Sequence, residues 1–459
     1  MTSLTFYGGI KEIGGNKILV ENKDTRIFLD FGQSFGLLDE FFVPEAYLSP
    51  RERFGLLDYF GLDLMPKLKG LYNETSLACT DLKCTKPEYD AVFLSHPHQD
   101  HASHLRFLHQ EIPIYMGETA KTILDSTQET TKSFFYSEEE VKKRDGTILP
   151  PNTVHTFRTG GIIEVGSMKI QPIHVDHSVP GAYGFLIDTG DAHIAYTGDI
   201  RRHGKKPEMT EDFIEKAKSF EPDALIIEGT RVKEDEKRKN HTEPFVESES
   251  RKIVKKNKGL TMGMRYPKDL DRFQTFYKIA KEEGKEIIIS QKTANLLLHL
   301  KDDPINLPDP LKDPTIKILN REKKTYSKWE KELQPHSIDT QYIRENQNDI
   351  LLELDSYYMA ELIDIQPKGG EIVHSMSEPF EEDPVSGMVD EVLHNWADRF
   401  NMGYHQLHAS GHASKSEIFD MIKKIDAKMI FPVHTLHPEL FKDTGAKIRF
   451  VEKGEKVGI

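Results

Sequence analysis

A chain of 459 residues exceeds the size at which one hydrophobic core keeps growing, so two domains are expected. Hydrophobic residues at 37% and aromatics at 9% suffice for real cores, while 30% charged residues and a net charge of -14 leave an acidic, well-solvated surface. That balance excludes broad nonspecific adhesion to nucleic acid or anionic membrane and leaves room for a local basic groove only. The two cysteines, Cys79 and Cys84, exclude a disulfide framework and read as buried or reduced thiols. No basic leader precedes an apolar run, and no segment approaches the ~20 apolar residues of a membrane span, so a cytoplasmic protein is expected.

In chain order, residues 4 to 32 alternate short apolar runs with glycines (L-T-F-Y-G-G, K-I-L-V-E, R-I-F-L-D-F-G) and predict consecutive strands with tight turns. Asp30 closes the last of these. Residues 36 to 88 form an insertion with little periodicity. The buried run A-V-F-L-S then leads into H-P-H-Q-D-H, which holds His96, His98, Asp100 and His101 at a strand's carboxyl end. Similar endings recur: M-K-I-Q-P-I-H-V-D-H stops at His177, H-I-A-Y-T-G-D at Asp199, D-A-L-I-I-E-G-T near Glu228, and K-M-I-F-P-V-H at His434. Layered α/β folds place their sites at such strand ends.

From about residue 232 to 395 the texture changes. The segment D-R-F-Q-T-F-Y-K-I-A-K-E-E-G sets Phe273, Phe276, Ile279 and Ala280 on one helical face, with Gly284 as the stop before the strand E-I-I-I-S. Tyr326, Trp329 and Leu333 are expected to share a face of a later charged helix. This stretch reads as a second domain inserted into the first, because the strand ending at His434 follows it. The expected limits are 1–231, 232–395 and a return segment 396–459. Within the return, Ser414 and Glu417 have capping-box spacing, so a helix starts just after H-A-S-G-H.

His96 and His98, two apart, project the same way from an extended turn, while Asp100 and His101 aim at a second point. Such a turn can serve two metals, and mixed imidazole and carboxylate donors without cysteine suit a catalytic zinc site or another borderline divalent ion.

These words, in this order, resemble the metallo-β-lactamase fold hydrolases, and within them the β-CASP ribonucleases of RNase J type. The likeness runs from G-G-I-K-E-I-G-G-N through F-L-D-F-G, S-H-P-H-Q-D-H, D-H-S-V-P, Y-T-G-D, E-G-T and H-A-S-G-H to F-P-V-H. It implies an α/β (α+β) chain: an αββα sandwich built from both ends of the sequence, with an inserted α/β β-CASP domain as a lid. It implies two Zn2+ per chain, with Mn2+ as the alternative, one on His96, His98 and His177, the other on Asp100, His101 and His434, and Asp199 bridging both. It implies single-stranded RNA as partner, admits a homodimer, and calls for no membrane. Two-metal activation of water to hydroxide would hydrolyse RNA phosphodiesters, from the 5′ end toward the 3′ end with endonuclease activity besides, in RNA processing or decay. Glu228, His412 and His434 fall on the first, second and third β-CASP motifs.

Beside the resemblance stands the chemistry of the residues. The leaving oxygen needs a proton, and His412 is the candidate donor, oriented by Glu228 as a carboxylate fixes an imidazole tautomer. His408, Ser410 and the backbone of Gly411 are expected against phosphate near the capped helix, and the loop H-S-M-S-E-P-F, residues 374–380, resembles a serine-bearing phosphate-contact loop of the family, which implies Ser375 and Ser377 as further contacts. Asp30 is expected to orient the histidine turn by hydrogen bonding. His104, His374 and His437 read as core or solvated histidines. The run R-R-H-G-K-K, Arg201 to Lys206, lies just after Asp199 and is a candidate track for a nucleic-acid backbone; R-K-I-V-K-K-N-K, Arg251 to Lys258, reads as a solvated face. Where RNase J proteins often read H-G-E at the third motif, this chain reads H-T-L-H-P-E. The competing readings are a hydrolase of the same fold acting on DNA or on a small phosphodiester, ester or lactone, and a silent scaffold, which would be expected to have lost ligands.

Overall fold

A computed structural model describes residues 1–43, 47–142, 146, 148–379 and 384–459. Two sheets face each other. The first runs in the order Lys456–Gly458, Ser3–Gly8, Lys17–Asn22, Thr25–Leu29, Ala91–Leu94, Ile114–Gly117, Val154–Phe157, and the second in the order Ile430–Val433, Ala224–Glu228, His193–Tyr196, Tyr183–Asp188, Met168–His174, Ile163–Val165. The period of two along each strand explains the sandwich. Leu4 and Phe6, Ile18 and Val20, and Ile27 and Leu29 point inward against Phe185, Ile187, Ile194, Ile226 and Phe431 of the facing sheet. Leu19 and Phe28, one residue out of phase, face the outer layer.

That outer layer is the aperiodic insertion: Leu38, Tyr59, Phe60 and Leu77 cover the first sheet. On the second, Phe213, Ile214 and Ala217 of helix Pro207–Phe220 pack with Ile418, Met421, Ile422 and Ile425 of helix Lys415–Ile425. The layers are therefore α, β, β, α.

The chain leaves the second sheet after Ala224–Glu228 and returns as Ile430–Val433, which lies parallel beside it with Glu228 opposite Val433. Between them a third sheet forms from Ser337–Ile338, Ile316–Leu319, Glu286–Ser290, Ile350–Glu353, Leu260–Met264, Gly370–His374 and Met402–Gln406, every pairing parallel. Helices cover both its faces, as a parallel sheet requires. Phe273, Phe276, Ile279 and Ala280 fill one side, Leu362, Ile365 and Leu393 the other.

Three expectations change here. The return at 396 falls inside helix Pro384–Arg399, and the next strand, Met402–Gln406, still belongs to the inserted sheet. It is an edge strand, M-G-Y-H-Q, mostly half-buried, so no apolar run announces it. Tyr326 lies outside its helix, which starts at Lys328 behind a Ser327–Glu330 capping box and buries Trp329 and Leu333. Cys79 and Cys84 are free and exposed rather than buried. No helix among the described residues is long and apolar enough to cross a membrane.

Candidate metal centre and active site

The histidine turn follows strand Ala91–Leu94, whose neighbour Thr25–Leu29 ends at Asp30. Asp30 sits in the left-handed region, φ 58°, with its carboxylate turned inward. It accepts from the Ser95 amide at 2.6 Å, the Ser95 hydroxyl at 2.8 Å, His101 Nδ1 at 2.8 Å and the Tyr196 hydroxyl at 2.6 Å. With Nδ1 of His101 so used, its Nε2 is left for another partner. The glycines of the first loop permit the close fit: Gly14, φ 78°, would bring a Cβ within 2.6 Å of Asp100 Cβ.

Two donor sets converge on one carboxylate. His96, His98, His177 and Asp199 form the first; Asp100, His101, His434 and Asp199 form the second. Nε2 of His96 and Nε2 of His177 each lie 3.1 Å from Nδ1 of His98. Nitrogens about 2.0–2.1 Å from a tetrahedral zinc would be about 3.3 Å apart, so the spacing suits that ion. Asp199 Oδ2 is 3.4 Å from His96 Nε2 and 3.3 Å from His101 Nε2, and His434 Nε2 is 3.1 Å from Asp100 Oδ2.

Hydrogen bonding on the far side of each ring sets its tautomer. Nδ1 of His96 meets the Ser95 hydroxyl at 3.0 Å, Nδ1 of His177 donates to the Gly411 carbonyl at 2.6 Å, and Nδ1 of His434 donates to the Thr230 hydroxyl at 2.8 Å. That hydroxyl in turn donates to Glu228 at 2.7 Å. His434 also holds a left-handed backbone, φ 52°, at the end of its strand.

The residues present fit divalent cations. Both carboxylate oxygens of Asp199 and Nε2 of His101 are buried without a hydrogen-bond partner, and buried polar atoms are rarely left so. Burial drives His96 and His177 far below the ordinary imidazole value and His98 to about 4, which keeps all three neutral, the ligating form. Burial opposes charge on His434 as well, but Asp199 and Asp100 outweigh it and lift that group to about 9. The second set thus attracts positive charge.

A third group, Asp199, Glu228 and His412, adjoins the first two. His412 Nδ1 lies 3.0 Å from Glu228 Oε1, and its ring packs 5.2 Å from that of His177 and 5.6 Å from that of His434. Glu228 also accepts from the Ile200 and Thr230 amides, so its orientation is locked.

The candidate phosphate residues divide. Ser377, His408 and Ser410 line one concavity with Arg231, Arg238, Lys239 and Glu378. Ser375 does not reach it: it is fully buried, and its hydroxyl is engaged by Arg272 and the Leu407 carbonyl. Gly411 presents its carbonyl to His177, and Phe380 lies outside the described residues.

Arg201 and Arg202 are not available to a nucleic-acid backbone. Arg201 is fully buried among Asp176, Glu243 and Asp271, and Arg202 is bound by Glu211 and Asp420. Arg201 instead joins the sandwich to the inserted sheet, where Glu243 also binds Arg272 at 2.9 Å. Arg251 is engaged by Glu247 and Glu282 on a helix face. His104 packs edge-on against Tyr59 and tilted against Phe107 inside the core. Ser95, Tyr196 and Thr230, which hydrogen-bond the candidate ligands or their support, carry no sequence signal beyond their place beside candidate ligand residues.

An αββα sandwich whose loops bring two histidine and carboxylate sets onto a shared aspartate defines a metallo-hydrolase fold. Residues 70–259 match the beta-lactamase superfamily domain, and residues 398–450 match the Zn-dependent metallo-hydrolase RNA specificity domain. The chain is 20% identical over 442 residues to Ribonuclease J of Mycoplasma genitalium, covering 94% of this chain and 68% of that protein. It is 21% identical over 476 residues to Ribonuclease J 2 of Streptococcus pyogenes, covering 98% and 74%, and 22% identical over 450 residues to Ribonuclease J of Helicobacter pylori, covering 94% and 55%. The crystal structure of a protein of unknown function from Enterococcus faecalis V583 matches over 99% of both chains with a TM-score of 0.78 and 26% identity. The chain is thus similar along nearly all of its length to proteins named Ribonuclease J, and parts of it match the beta-lactamase superfamily and Zn-dependent metallo-hydrolase RNA specificity domains.

Proposed function

We propose that this protein is a metal-dependent ribonuclease that hydrolyses RNA phosphodiester bonds, working from the 5′ end with endonuclease activity besides. One observation carries the reading: the His412–Glu228 pair stands against the carboxylate shared by the two donor sets. A hydrolase of small esters or lactones has no need of a proton donor at that place.

His96, His98 and His177 with Asp199, and Asp100, His101 and His434 with Asp199, would hold the two cations, zinc or manganese. Bound there, they would supply Lewis-acid activation of water and neutralise charge on the phosphoryl oxygens. The chain's own residues do the rest. Glu228 holds Nδ1 of His412, so the proton available to substrate sits on Nε2. As the bond from phosphorus to the 3′ oxygen breaks, Nε2 transfers that proton to the oxygen, leaving a 3′ hydroxyl and a 5′ phosphate on the two products. Ser377, Ser410 and His408 border the phosphate concavity. Nδ1 of His408 points at the Ser375 carbonyl, 3.2 Å away, and Nε2 toward Ser377.

The test is incubation of the purified full chain with matched 5′-labelled and 3′-labelled RNA and DNA, with zinc or manganese and with chelator. Metal-dependent shortening of RNA from the 5′ end is expected. Equal cutting of DNA, or cutting that survives chelation, overturns the reading.

A further inference from the structure

Between the phosphate concavity and the metal turn lies a short loop, R-Y-P-K-D, Arg265 to Asp269, that follows strand Leu260–Met264 of the inserted sheet. Its backbone is rigid. The Arg265 guanidinium, fixed by Glu353 at 2.6 Å, donates to the carbonyls of Tyr266 at 3.1 Å, Pro267 at 3.0 Å and Asp269 at 3.3 Å. Asp269 then caps helix Leu270–Glu282. A loop tied at both ends presents its side chains without further ordering cost.

Two of those side chains are placed at opposite ends of the candidate site. Tyr266 is 39% exposed; its hydroxyl accepts from the Ser377 amide at 3.4 Å and its ring stands edge-on to His408, centroids 6.2 Å apart. It therefore stands beside the concavity, against two of the residues that line it, with its ring partly open. Lys268, half-buried, reaches to the sandwich, where Nζ donates to the carbonyl of Pro97 at 2.6 Å, between His96 and His98. Among the described residues no carboxylate lies within ion-pair distance of it. One of its three N–H donors is committed to Pro97, and its charge stands beside the metal turn.

Resting on the ribonuclease reading, we propose that Tyr266 and Lys268 are substrate-binding residues: Tyr266 stacks a base of the single strand beside the concavity, and Lys268 contacts the phosphate between that nucleotide and the metal turn. The loop is a turn, the Asp269 amide donating to the Tyr266 carbonyl at 3.0 Å, and it sends the two side chains to different neighbours. Stacking on an aromatic face tolerates any base, and a lysine contact to phosphate carries no sequence information, so the pair gives sequence-independent grip. In a chain of net charge -14, attraction for a polyanion has to be local, and Lys268 supplies it at the point of need.

The test is equilibrium binding of a 3′-fluorescein single-stranded RNA hexamer to the full chain in chelator, read by anisotropy. Lys268→Met is expected to weaken binding about 5- to 10-fold and lower the salt slope by about 0.7, one single-strand phosphate contact, with Lys268→Arg near wild type. Tyr266→Leu is expected to weaken binding about 5- to 10-fold at unchanged salt slope, with Tyr266→Phe near wild type. Modified RNAs separate contact from scaffold. A single neutral methylphosphonate linkage near the 5′ end should weaken wild type and leave Lys268→Met indifferent, and a single abasic nucleotide should do the same for Tyr266→Leu. The proposal is overturned if both variants bind like wild type, or if each loses as much on modified RNA as on unmodified RNA, the mark of a tether alone. In those cases wild-type cleavage of RNA still stands. A wild type that neither binds nor cuts RNA overturns the ribonuclease reading as well.

Discussion

Nδ1 of His177 donates to the carbonyl of Gly411 across 2.6 Å, joining residues 234 apart in the chain. The bond holds Nε2 of His177 toward the first donor set and makes the H-A-S-G-H loop part of the candidate metal centre's support. A Cβ at Gly411 would meet Ser178 Oγ at 2.7 Å and His177 Cε1 at 3.1 Å. Gly411→Ala should therefore weaken metal binding at the His96, His98 and His177 set by about 10- to 100-fold and spare the other set. Competition with a chromophoric chelator checks this; an unchanged two-step titration contradicts it.

Asp199 serves both sets, and both of its oxygens are buried without a hydrogen-bond donor. Asp199→Ala should remove both ions and bring RNA cleavage below detection. Elemental analysis beside the cleavage assay reads the outcome, and two ions per chain in the variant would show that the shared role is misplaced.

His412 touches Glu228 and packs against His177 and His434. Removing a general acid costs about 10²- to 10⁴-fold in rate. His412→Ala should fall in that range with metal content near normal, and Glu228→Gln should lose less. A His412 variant stripped of both ions would make that residue a support of the metal site instead.

Asp30 is fully buried and accepts from Ser95, His101 and Tyr196. Asp30→Ala strands those donors, and breaking such a buried charged cluster costs about 3–5 kcal/mol. Denaturant unfolding of the metal-free chain should show a loss of that size; a loss under about 1 kcal/mol would place the orienting energy elsewhere.

Glu417 combines the helix cap of Ser414 with a contact to His203 at 3.2 Å. Burial works against its charge, but His203 and Ser414 outweigh it and hold the carboxyl down to about 2. A depressed folded-state pKa contributes stability that is complete above about pH 4.5 and is lost as pH falls through about 2. The deficit of Glu417→Gln against wild type should be about 2 kcal/mol at pH 6 and roughly half that by pH 3. A deficit independent of pH would remove the carboxylate from the account.

The histidine turn was legible because its donors lie within one bend, and the strand ends at His177, Asp199 and His434 because buried runs halt at a polar residue. The sandwich was implied by the resemblance of these motifs to the metallo-β-lactamase fold; the alternating runs near the amino end announced only the strands themselves. Less was legible where partners come from afar. Arg201 reads like a nucleic-acid contact until Asp176, Glu243 and Asp271 surround it. Ser375 and Ser377 share one loop, yet the first is sealed by Arg272 and the second stands half-open at the concavity. Tyr266 and Lys268 sit in a segment with no motif, and only the placement of the inserted sheet brings them to the site.

The sequence alone determined which ligand-type side chains exist, the order in which strands deliver them, and that a second α/β unit interrupts the first. Tertiary structure decided which carboxylate is shared, which arginines are spent inside the protein, and which loop spans the two halves of the cleft. The physical reason is that the identity and spacing of side chains are local properties, whereas hydrogen-bond satisfaction and desolvation belong to groups that meet only after the sheets have paired.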